Sequence, residues 1–399
     1  MKPRLVVKNL VKIFGEHPEK GLELLQHGCD KDEIFARTGQ TVGVVDASFE
    51  IYEGEIFVIM GLSGSGKSTL VRLLNRLIEP TAGEVWINDN NIALLSQKEL
   101  NELRRTKMSM VFQSFALMPH MNVVDNAAFG LELASIPRDE RHQRALDALK
   151  LVGLESNAES YPDELSGGMQ QRVGLARALA IDPQILLMDE AFSALDPLIR
   201  MEMQEELVQL QKATSRTVVF ISHDLDEAMR IGDRIAIMQG GKVIQIGTPE
   251  EILQNPADDY VASFFEGVDP GTVLKAADVA SREVCAEVVL EQTSPAELRL
   301  EMQRQETEFV HVISNDGKYC GTVTESDLSA IEAQGTMEQV LNSTESGLAS
   351  SLEGDVEINQ IIPQVAAAQY DLPVVDGDGQ YLGAVSDKAL LKALDRSND

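Results

Sequence analysis

The sequence lacks the long apolar runs from which membrane-spanning helices are built. Its apolar runs are strand-sized, such as 56–62 and 185–188, and none approaches the ~20 residues that a spanning helix requires. The first residues, Met1 to Arg4, are not followed by the apolar stretch of a signal peptide. We therefore expect a cytoplasmic chain that is at most docked on a partner lying in the membrane.

Cysteine and proline are also scarce. The three cysteines, Cys29, Cys285 and Cys320, are far apart and form no CxxC pair, which argues against a zinc site and fits a reducing compartment. With only 14 prolines and an ordinary 44% of apolar residues, most of the chain should be folded. A length of 399 residues is enough for two or three domains, each with its own core.

Basic residues are few relative to acidic ones. The chain has 34 Lys and Arg against 64 Asp and Glu, and its net charge is −30. A nucleic-acid partner requires a basic face, so this balance argues against such a partner. Acidity of this kind in a globular composition more often serves solubility than a binding site.

One glycine-rich turn organises the rest of the chain. It lies between the apolar run 56–60 and a helix-like segment, 70–77, and has the pattern G-x-x-x-x-G-K-S. Its residues, with the threonine that follows, are Gly61, Leu62, Ser63, Gly64, Ser65, Gly66, Lys67, Ser68 and Thr69. Such a turn directs several backbone N–H groups at one anion, and the helix dipole favours the same charge. A chance glycine-rich loop is the alternative, but the pattern and its context together favour a nucleoside triphosphate site.

Two carboxylates end another predicted strand. The run 185–188 leads into Asp189 and Glu190, and ligand sites in parallel sheets lie beyond the carboxyl ends of the strands. We therefore expect both carboxylates beside the phosphate loop. Ser68 and Asp189 would hold Mg²⁺, and Gln113, which follows the predicted strand 108–112, would be a further metal ligand or water contact.

Phosphoryl transfer to water requires charge neutralisation, a metal ion and a positioned nucleophile. Lys67 and the loop backbone supply the first of these. Glu190 is expected to polarise the attacking water, because the metal neutralises Asp189 and leaves Glu190 to act on that water. His223 follows the predicted strand 217–221 and could contact the γ-phosphate, although a histidine taken alone is more often structural.

An aromatic residue precedes the phosphate loop. Phe14 ends a predicted strand, 4–14, and could stack on the nucleotide base, although a plain core role fits it nearly as well. A charged, partly helical insert follows at 16–42, before the next predicted strand begins at Gly43.

A second anion-binding helix terminus is predicted at Ser166, Gly167 and Gly168. With this segment in place, residues 4–265 resemble the ATP-binding-cassette ATPases of membrane transporters. The resemblance rests on the phosphate loop, Gln113, residues 165–170, the Asp189–Glu190 strand, the turn 193–196 and His223, in the expected order. Met169 is a departure, since the family most often has Gln there.

The resemblance implies a head-to-tail homodimer with two ATPs, each with Mg²⁺, at its interface. In that arrangement Ser166 and Gly168 of one subunit contact the γ-phosphate held by the other, and Asp196 works across the dimer. Gln113 links ATP to the membrane partner.

The composition of the sequence changes beyond about residue 267. From Val273 onward acidic residues outnumber basic ones about three to one. The segment 312–323 returns as 374–385, and each copy reads as strand, Asp-Gly turn, strand and a helix start, at Asp327 or Asp387. The pair resembles tandem cystathionine-β-synthase-type (CBS) modules.

We predict an α/β fold in which a P-loop nucleotide-binding domain of the cassette type is followed by a smaller α/β tandem CBS module. The predicted domains are 1–268 for the ATPase, 273–335 for the first CBS module and 336–399 for the second. The acidic tail could sense salt, by internal repulsion that salt relaxes, or serve as a dimerisation or folding appendage.

The insert and the CBS pair together resemble the ATPases of glycine betaine/L-proline uptake. This resemblance implies import of quaternary-amine osmoprotectants and attachment to the cytoplasmic side of the membrane. It also implies integral-membrane permease subunits and, indirectly, a periplasmic or surface substrate-binding protein. An importer ATPase for another solute, such as an amino acid or a sugar, and a soluble cassette protein without a transport role remain alternatives.

Overall fold

The structure is a computed structural model, and it describes residues 2–112, 116–193, 195–282, 287–290, 293–304, 307–329, 341 and 351–394. The chain divides into two compact units, Met1–Glu266 and Gly267–Asp399. No helix among the described residues combines the length and the apolar character needed to cross a membrane.

The strands of the first unit are β1 Pro3–Phe14, β2 Thr41–Tyr52, β3 Ile56–Met60, β4 Ala82–Ile87, β5 Asn90–Asn91, β6 Met108–Val111, β7 Ile185–Asp189, β8 Thr217–Ile221, β9 Arg234–Gln239 and β10 Lys242–Gly247. Its helices are α1 Pro18–Gln26, α2 Lys31–Thr38, α3 Lys67–Leu74, α4 Gln97–Thr106, α5 Val123–Leu133, α6 Arg138–Leu151, α7 Gly167–Ala180, α8 Pro197–Thr214, α9 Leu225–Ile231, α10 Pro249–Gln254 and α11 Asp259–Phe264.

A six-stranded sheet, in the order β10-β9-β3-β8-β7-β6, carries the site. All its neighbouring pairs are parallel except β10 with β9, which form a hairpin. Strands β3, β7 and β8 are buried along their whole length, which explains their continuous apolar sequences. Because Ile221 lies opposite both Ile59 and Asp189, the carboxyl ends of β3, β8 and β7 meet at one edge. This agrees with the predicted parallel core.

A second sheet, in the order β2-β1-β4-β5, is antiparallel. Its long strands are predicted by the sequence, whereas their pairing in a separate sheet is not. Strand β2 shows why such strands are long and alternating: its residues from Val42 to Ile51 mostly alternate between buried and less buried positions. The two sheets share one apolar core, in which Phe49 of β2 stacks on Phe57 of β3 with ring centroids 5.4 Å apart.

The predicted insert forms α1 and α2. Asp30 caps α2 through a capping box with Glu33, and Gly39 ends that helix in a left-handed conformation with φ 71°. The insert is anchored by a small apolar cluster in which Ile34 packs with Val11, Ile13 and Val42. It therefore has a core of its own on the antiparallel sheet.

The strands of the second unit are β11 Glu287–Val289, β12 Phe309–Ile313, β13 Tyr319–Thr324, β14 Leu352–Glu353, β15 Leu372–Val375 and β16 Tyr381–Val385. Its helices are α12 Ala276–Val279, α13 Pro295–Arg304, α14 Glu325–Ser329, α15 Ile358–Ala367 and α16 Asp387–Leu394. The strands form two three-stranded sheets, β11-β12-β13 and β14-β15-β16. In each sheet the first pair of strands is parallel and the second pair is antiparallel.

The two repeats are joined through their Asp-Gly turns. The N–H of Tyr319 donates to the carbonyl of Gly379 at 3.1 Å, and the N–H of Tyr381 donates to that of Gly317 at 2.9 Å. This reciprocity is what an approximate two-fold axis between the copies would give. The predicted boundary between the modules, at 335 and 336, lies outside the described residues and stays a prediction.

One predicted helix start is displaced in the first repeat. Helix α14 begins at Glu325 rather than Asp327, because the hydroxyl of Thr324 accepts the N–H of Asp327, which makes Thr324 the cap. In the second repeat α16 begins at Asp387, as the sequence predicts.

Candidate nucleotide site

The phosphate loop connects β3 to α3 in a conformation that only glycine tolerates. Gly61 has φ 145°, and a Cβ there would lie 2.2 Å from the carbonyl oxygen of Met238. At Gly66, with φ 102°, a Cβ would lie 2.4 Å from the carbonyl oxygen of Gly43. Both positions require glycine, since the backbone of neighbouring strands presses on the loop. The spacing of these glycines therefore reflects packing of the loop as well as ligand binding.

The loop presents donors to an anion. The N–H groups of the first turn of α3 have no acceptor within that helix, and the residue at its cap position, Gly66, has no side chain to accept them. Lys67 is 6% exposed, and its Nζ donates to the carbonyl oxygens of Gly61 at 2.7 Å and Leu62 at 3.1 Å. Within the described chain, the buried Oγ of Ser65 has no hydrogen-bond partner. These groups fit the phosphates of a nucleotide.

The charge of Lys67 is balanced by both carboxylates at the end of β7. Burial lowers the pKa of the Lys67 ammonium, and the negative charges of Glu190 and Asp189 oppose that shift. Lys67 therefore interacts electrostatically with Asp189, the predicted metal ligand, and with Glu190, which is predicted to activate the water.

Ser68 and Asp189 form a pair of hard oxygen donors. The Oγ of Ser68 donates to Oδ1 of Asp189 at 2.8 Å, across 121 positions of sequence. Among the described residues, no group of three or more His, Cys, Asp and Glu side chains is arranged to hold a metal ion. A hydroxyl and one carboxylate suit Mg²⁺, which is usually held by one or two carboxylates together with substrate phosphates.

Glu190 and His223 face each other at the ends of β7 and β8. The distance from Nδ1 of His223 to Oε1 of Glu190 is 3.8 Å, and the His223 side chain is 58% exposed. Glu190 has φ 49°, a left-handed conformation that is uncommon for a residue with a Cβ. The turn after it is closed by Ser193, whose Oγ donates to the Glu190 carbonyl at 2.9 Å. Strain of this kind concentrates at functional sites.

The predicted second helix terminus lies at the start of α7. Ser166 is exposed and caps the helix, its Oγ accepting the N–H of Met169 at 3.3 Å. A Cβ on Gly168 would lie 3.6 Å from Leu195 and 3.5 Å from Ile199, at the start of α8. Asp196 caps α8, its Oδ1 accepting the N–H of Ile199 at 3.1 Å. Residues 166–168 and 195–199 therefore form one group on two helix starts, and Gly167 lies exposed within it.

Phe14 lies beside the phosphate-loop helix. It is 38% exposed, and Nζ of Lys12 lies 5.0 Å from its ring centroid. A Cβ on Gly43 would meet the ring at 2.8 Å and Cγ2 of Thr69 at 3.3 Å, so ring and helix flank the same glycine. The partly open ring fits the predicted stacking role and does not test it. Gln113 lies outside the described residues.

Two residues that brace the site, Arg72 and Tyr260, were not predicted from the sequence. Arg72, one turn beyond Ser68 on α3, places Nη2 3.3 Å from Oδ2 of Asp189, which leaves the other carboxylate oxygen to Ser68. Tyr260 of α11 donates to the Met238 carbonyl at 3.1 Å and accepts the N–H of Leu62 at 3.4 Å. Arg72 has a helical spacing that could have revealed it, whereas the sequence carries no signal for Tyr260.

Comparison with known proteins adds to this geometry. The family model described as ABC transporter matches residues 44–193, and the CBS domain model matches residues 357–396. The chain is 55% identical, over 99% of its length and 98% of the relative, to the glycine betaine/proline betaine transport system ATP-binding protein ProV of Escherichia coli (strain K12). It is 48% identical, over 99% of its length and 93% of the relative, to the glycine betaine transport ATP-binding protein OpuAA of Bacillus subtilis (strain 168).

A solved structure supports the same likeness. The chain matches the dimeric structure of a post-hydrolysis state of the ATP-binding cassette MJ0796 bound to ADP and Pi, with a TM-score of 0.53 and 33% identity. The match covers 61% of this chain and 98% of that one.

Proposed function

We propose a function from the premise that this chain belongs to the ATP-binding-cassette ATPases, within the family of glycine betaine transport ATP-binding proteins. It binds and hydrolyses ATP, and the hydrolysis powers uptake of glycine betaine and proline-type osmoprotectants. The observation that carries the choice of solute is the likeness to ProV, which extends over 99% of this chain and includes both the insert and the tail.

In the proposed mechanism, the phosphate loop binds and neutralises the triphosphate. The N–H groups at the start of α3 and the Lys67 ammonium donate to phosphate oxygens, and Lys67 gives up its contacts with the Gly61 and Leu62 carbonyls to do so. Gly61 and Gly66 allow the loop to approach the ligand without a Cβ in the way.

Ser68 and Asp189 would hold Mg²⁺, with Gln113 as a third contact. When bound, the ion neutralises charge that develops between the β- and γ-phosphates. Arg72 fixes the Asp189 carboxylate, so that its Oδ1 remains directed at Ser68. This division of the two carboxylate oxygens keeps Asp189 in its binding role and leaves Glu190 to act on water.

Glu190 accepts a proton from the attacking water, and His223 orients that water and the γ-phosphate. Their facing atoms are 3.8 Å apart, which is close enough for both side chains to address one small molecule at the strand ends. Glu190 adopts its left-handed backbone conformation directly after the end of β7.

The active unit is proposed to be a homodimer. Ser166, Gly167 and Gly168 of one subunit would contact the γ-phosphate bound by the other, and Asp196 would lie at the same interface. The exposure of Ser166, Gly167 and Asp196 at the starts of α7 and α8 supports this role, and the likeness to a dimeric cassette supports the assembly.

The partners are proposed to be integral-membrane permease subunits and, indirectly, a periplasmic or surface substrate-binding protein. The chain would then be a peripheral protein on the cytoplasmic side of the membrane. Residues 1–268 form the proposed ATPase domain, and 273–335 and 336–399 the two CBS modules.

The first test is uptake of radiolabelled glycine betaine by cells that lack this chain. Uptake should fall to background and return with the wild-type chain, whereas a Lys67→Ala variant should not restore it. Uptake that persists without the chain would contradict the proposed solute. Loss of amino-acid or sugar uptake in the same cells would point to another solute for the same ATPase.

A further inference from the structure

A buried carboxyl group lies directly behind the turn that presents His223. The turn runs from Ser222, which is 1% exposed, through His223 to Asp224, the cap of α9. Glu227 is on the first turn of that helix, its N–H donating to Oδ1 of Asp224 at 3.3 Å. Its side chain is only 8% exposed and turns inward.

The Glu227 carboxyl bridges the turn to α8. Its Oε1 accepts a hydrogen bond from Nε2 of Gln204 at 2.9 Å, and its Oε2 is hydrogen-bonded to Oγ of Ser222. Gln204 is itself 2% exposed, so the bridge is closed to water. One turn earlier on α8, Arg200 contacts Oδ2 of Asp224 at 3.3 Å and the Leu195 carbonyl at 3.2 Å. Helix α8, which Asp196 caps, is thus tied twice to the His223 turn.

The hydrogen bonds of Ser222 are fully satisfied when Glu227 is protonated. The Ser222 Oγ accepts the N–H of Asp224 at 2.9 Å, and it contacts two further oxygens, the Asp224 carbonyl at 3.1 Å and Oε2 of Glu227. Its single hydroxyl hydrogen cannot serve two acceptors. A neutral Glu227 donates to Ser222, which then donates to the carbonyl, and every group has a partner.

The surroundings favour the same form. Burial raises the pKa of Glu227, the hydrogen bonds with Ser222 and Gln204 oppose that shift, and the charge of Asp224 adds to it. The nearby cation, Arg200, opposes it least. A neutral Glu227 also adds no further negative charge to those of Glu190 and Asp224 around His223.

We propose that Glu227 is a positioning residue of the ATPase, whose neutral carboxyl, held between Gln204 and Ser222, fixes the turn that presents His223 to Glu190. The inference rests on the proposed function of His223. Glu227 contacts neither the nucleotide nor the water, and it acts through the position of His223.

The test compares Glu227→Leu and Glu227→Gln in the purified full-length chain, by phosphate release over a range of ATP concentrations. Leucine removes both hydrogen bonds, and kcat should fall about tenfold or more, with KM for ATP unchanged within about twofold. Glutamine has the hydrogen-bonding pattern of the neutral acid, and it should restore at least about half of the wild-type kcat. Asp226, an exposed acid on the same helix, is the matched control, and Asp226→Leu should leave kcat unchanged.

A double-mutant cycle with His223→Ala distinguishes positioning from general destabilisation. If Glu227 acts through His223, adding Glu227→Leu to His223→Ala should lower kcat by no more than about twofold. A full, multiplicative loss would overturn the proposal, as would wild-type kcat in Glu227→Leu or equal losses in the Leu and Gln variants. Should Glu227→Leu not fold, Gln204→Leu and Ser222→Ala test the same bridge, with kcat expected to fall in both. A wild-type chain without ATPase activity would instead contradict the proposed function itself.

Discussion

Two groups of polar side chains, one in each unit, show how differently a protein uses such residues. Those at the ends of β3, β7 and β8 include an exposed histidine, His223, and a glutamate in a left-handed conformation, Glu190. In the second unit, His311 and Thr322 are 0% exposed and lie in regular strands. The Nδ1 of His311 is 2.8 Å from the Thr322 hydroxyl, which is 2.7 Å from the Tyr319 hydroxyl. The first arrangement gives up stability for access, whereas the second gives up access for burial in the core.

The largest effect on ATP hydrolysis is expected from a change at Glu190. Replacing it in Glu190→Gln removes the proposed base but keeps its size, so ATP should still bind while hydrolysis falls on the order of 10² or more. The ATP-bound dimer should accumulate, which size-exclusion chromatography with ATP would detect. Glu205→Gln, at an exposed acid of α8, is the control and should hydrolyse ATP normally. Turnover near the wild-type rate would remove Glu190 from its role.

A second test asks whether the exposed group on α7 acts across a dimer. Ser166→Trp should lower hydrolysis about tenfold or more, because a bulky side chain would block the approach of the partner's γ-phosphate. The substitution also removes a helix cap, which costs about 1 kcal/mol of stability. Ser96 is a matched control, since it is an exposed cap of α4. Ser96→Trp should cost similar stability and leave hydrolysis unchanged, and equal losses of activity in both variants would contradict the trans role.

Much of the first group was predictable from the sequence, because a phosphate loop is a local pattern and β7 and β8 are short, fully apolar runs that end in polar residues. The fold follows from the same runs, whose parallel pairing brings their carboxyl ends to one edge. Residues that act through distant contacts were not predictable in this way. Tyr260 braces a loop almost 200 positions away, and the bridge from Gln204 to Glu227 depends on helix packing that no local pattern encodes.

In the second unit the backbone was predictable from the sequence, whereas the buried polar side chains were not. Its repeat predicted both hairpins and the Asp-Gly turns, since hairpins are local. The reciprocal bonds from Tyr319 to Gly379 and from Tyr381 to Gly317 are a consequence of that repetition. Its buried polar group was not predictable. His311 aligns with Pro373 in the second copy and Thr322 with Ala384, so the first copy alone carries these side chains. Repetition predicts a backbone but does not specify the side chains that fill its core.

The buried histidine of the second unit should make the stability of that unit depend on pH. Burial lowers the pKa of His311 from 6.5 to about 4, against a smaller opposing effect of a hydrogen bond with the Asp371 backbone. Because the folded-state pKa lies below the unfolded one, the unfolded chain binds more protons below pH 6.5. The free energy of unfolding of the second unit should therefore fall by about 2 kcal/mol between pH 7 and pH 5, and level off near pH 4.

Calorimetry of the full-length chain measures this effect, with the fluorescence of Trp86, the single tryptophan, reporting the first unit separately. The control is His311→Asn, which keeps a hydrogen-bonding side chain that does not titrate in this range. Its second unit should be less sensitive to pH than that of the wild type. An identical pH dependence in both chains would mean that other groups cause it.

The smallest expected effect concerns the Thr322 hydroxyl, which has no counterpart at Ala384. Thr322→Val preserves the shape of the side chain but leaves His311 and Tyr319 without their shared partner in the core. A lost buried hydrogen bond of this kind costs about 1–2 kcal/mol, so the second unit should unfold at lower denaturant concentration while ATP hydrolysis is unchanged. Tyr319→Phe removes one end of the same chain of hydrogen bonds, and its effect should not add fully to that of Thr322→Val. Full additivity would mean that the two hydroxyls do not interact, and the buried group would then be three separate side chains rather than one network.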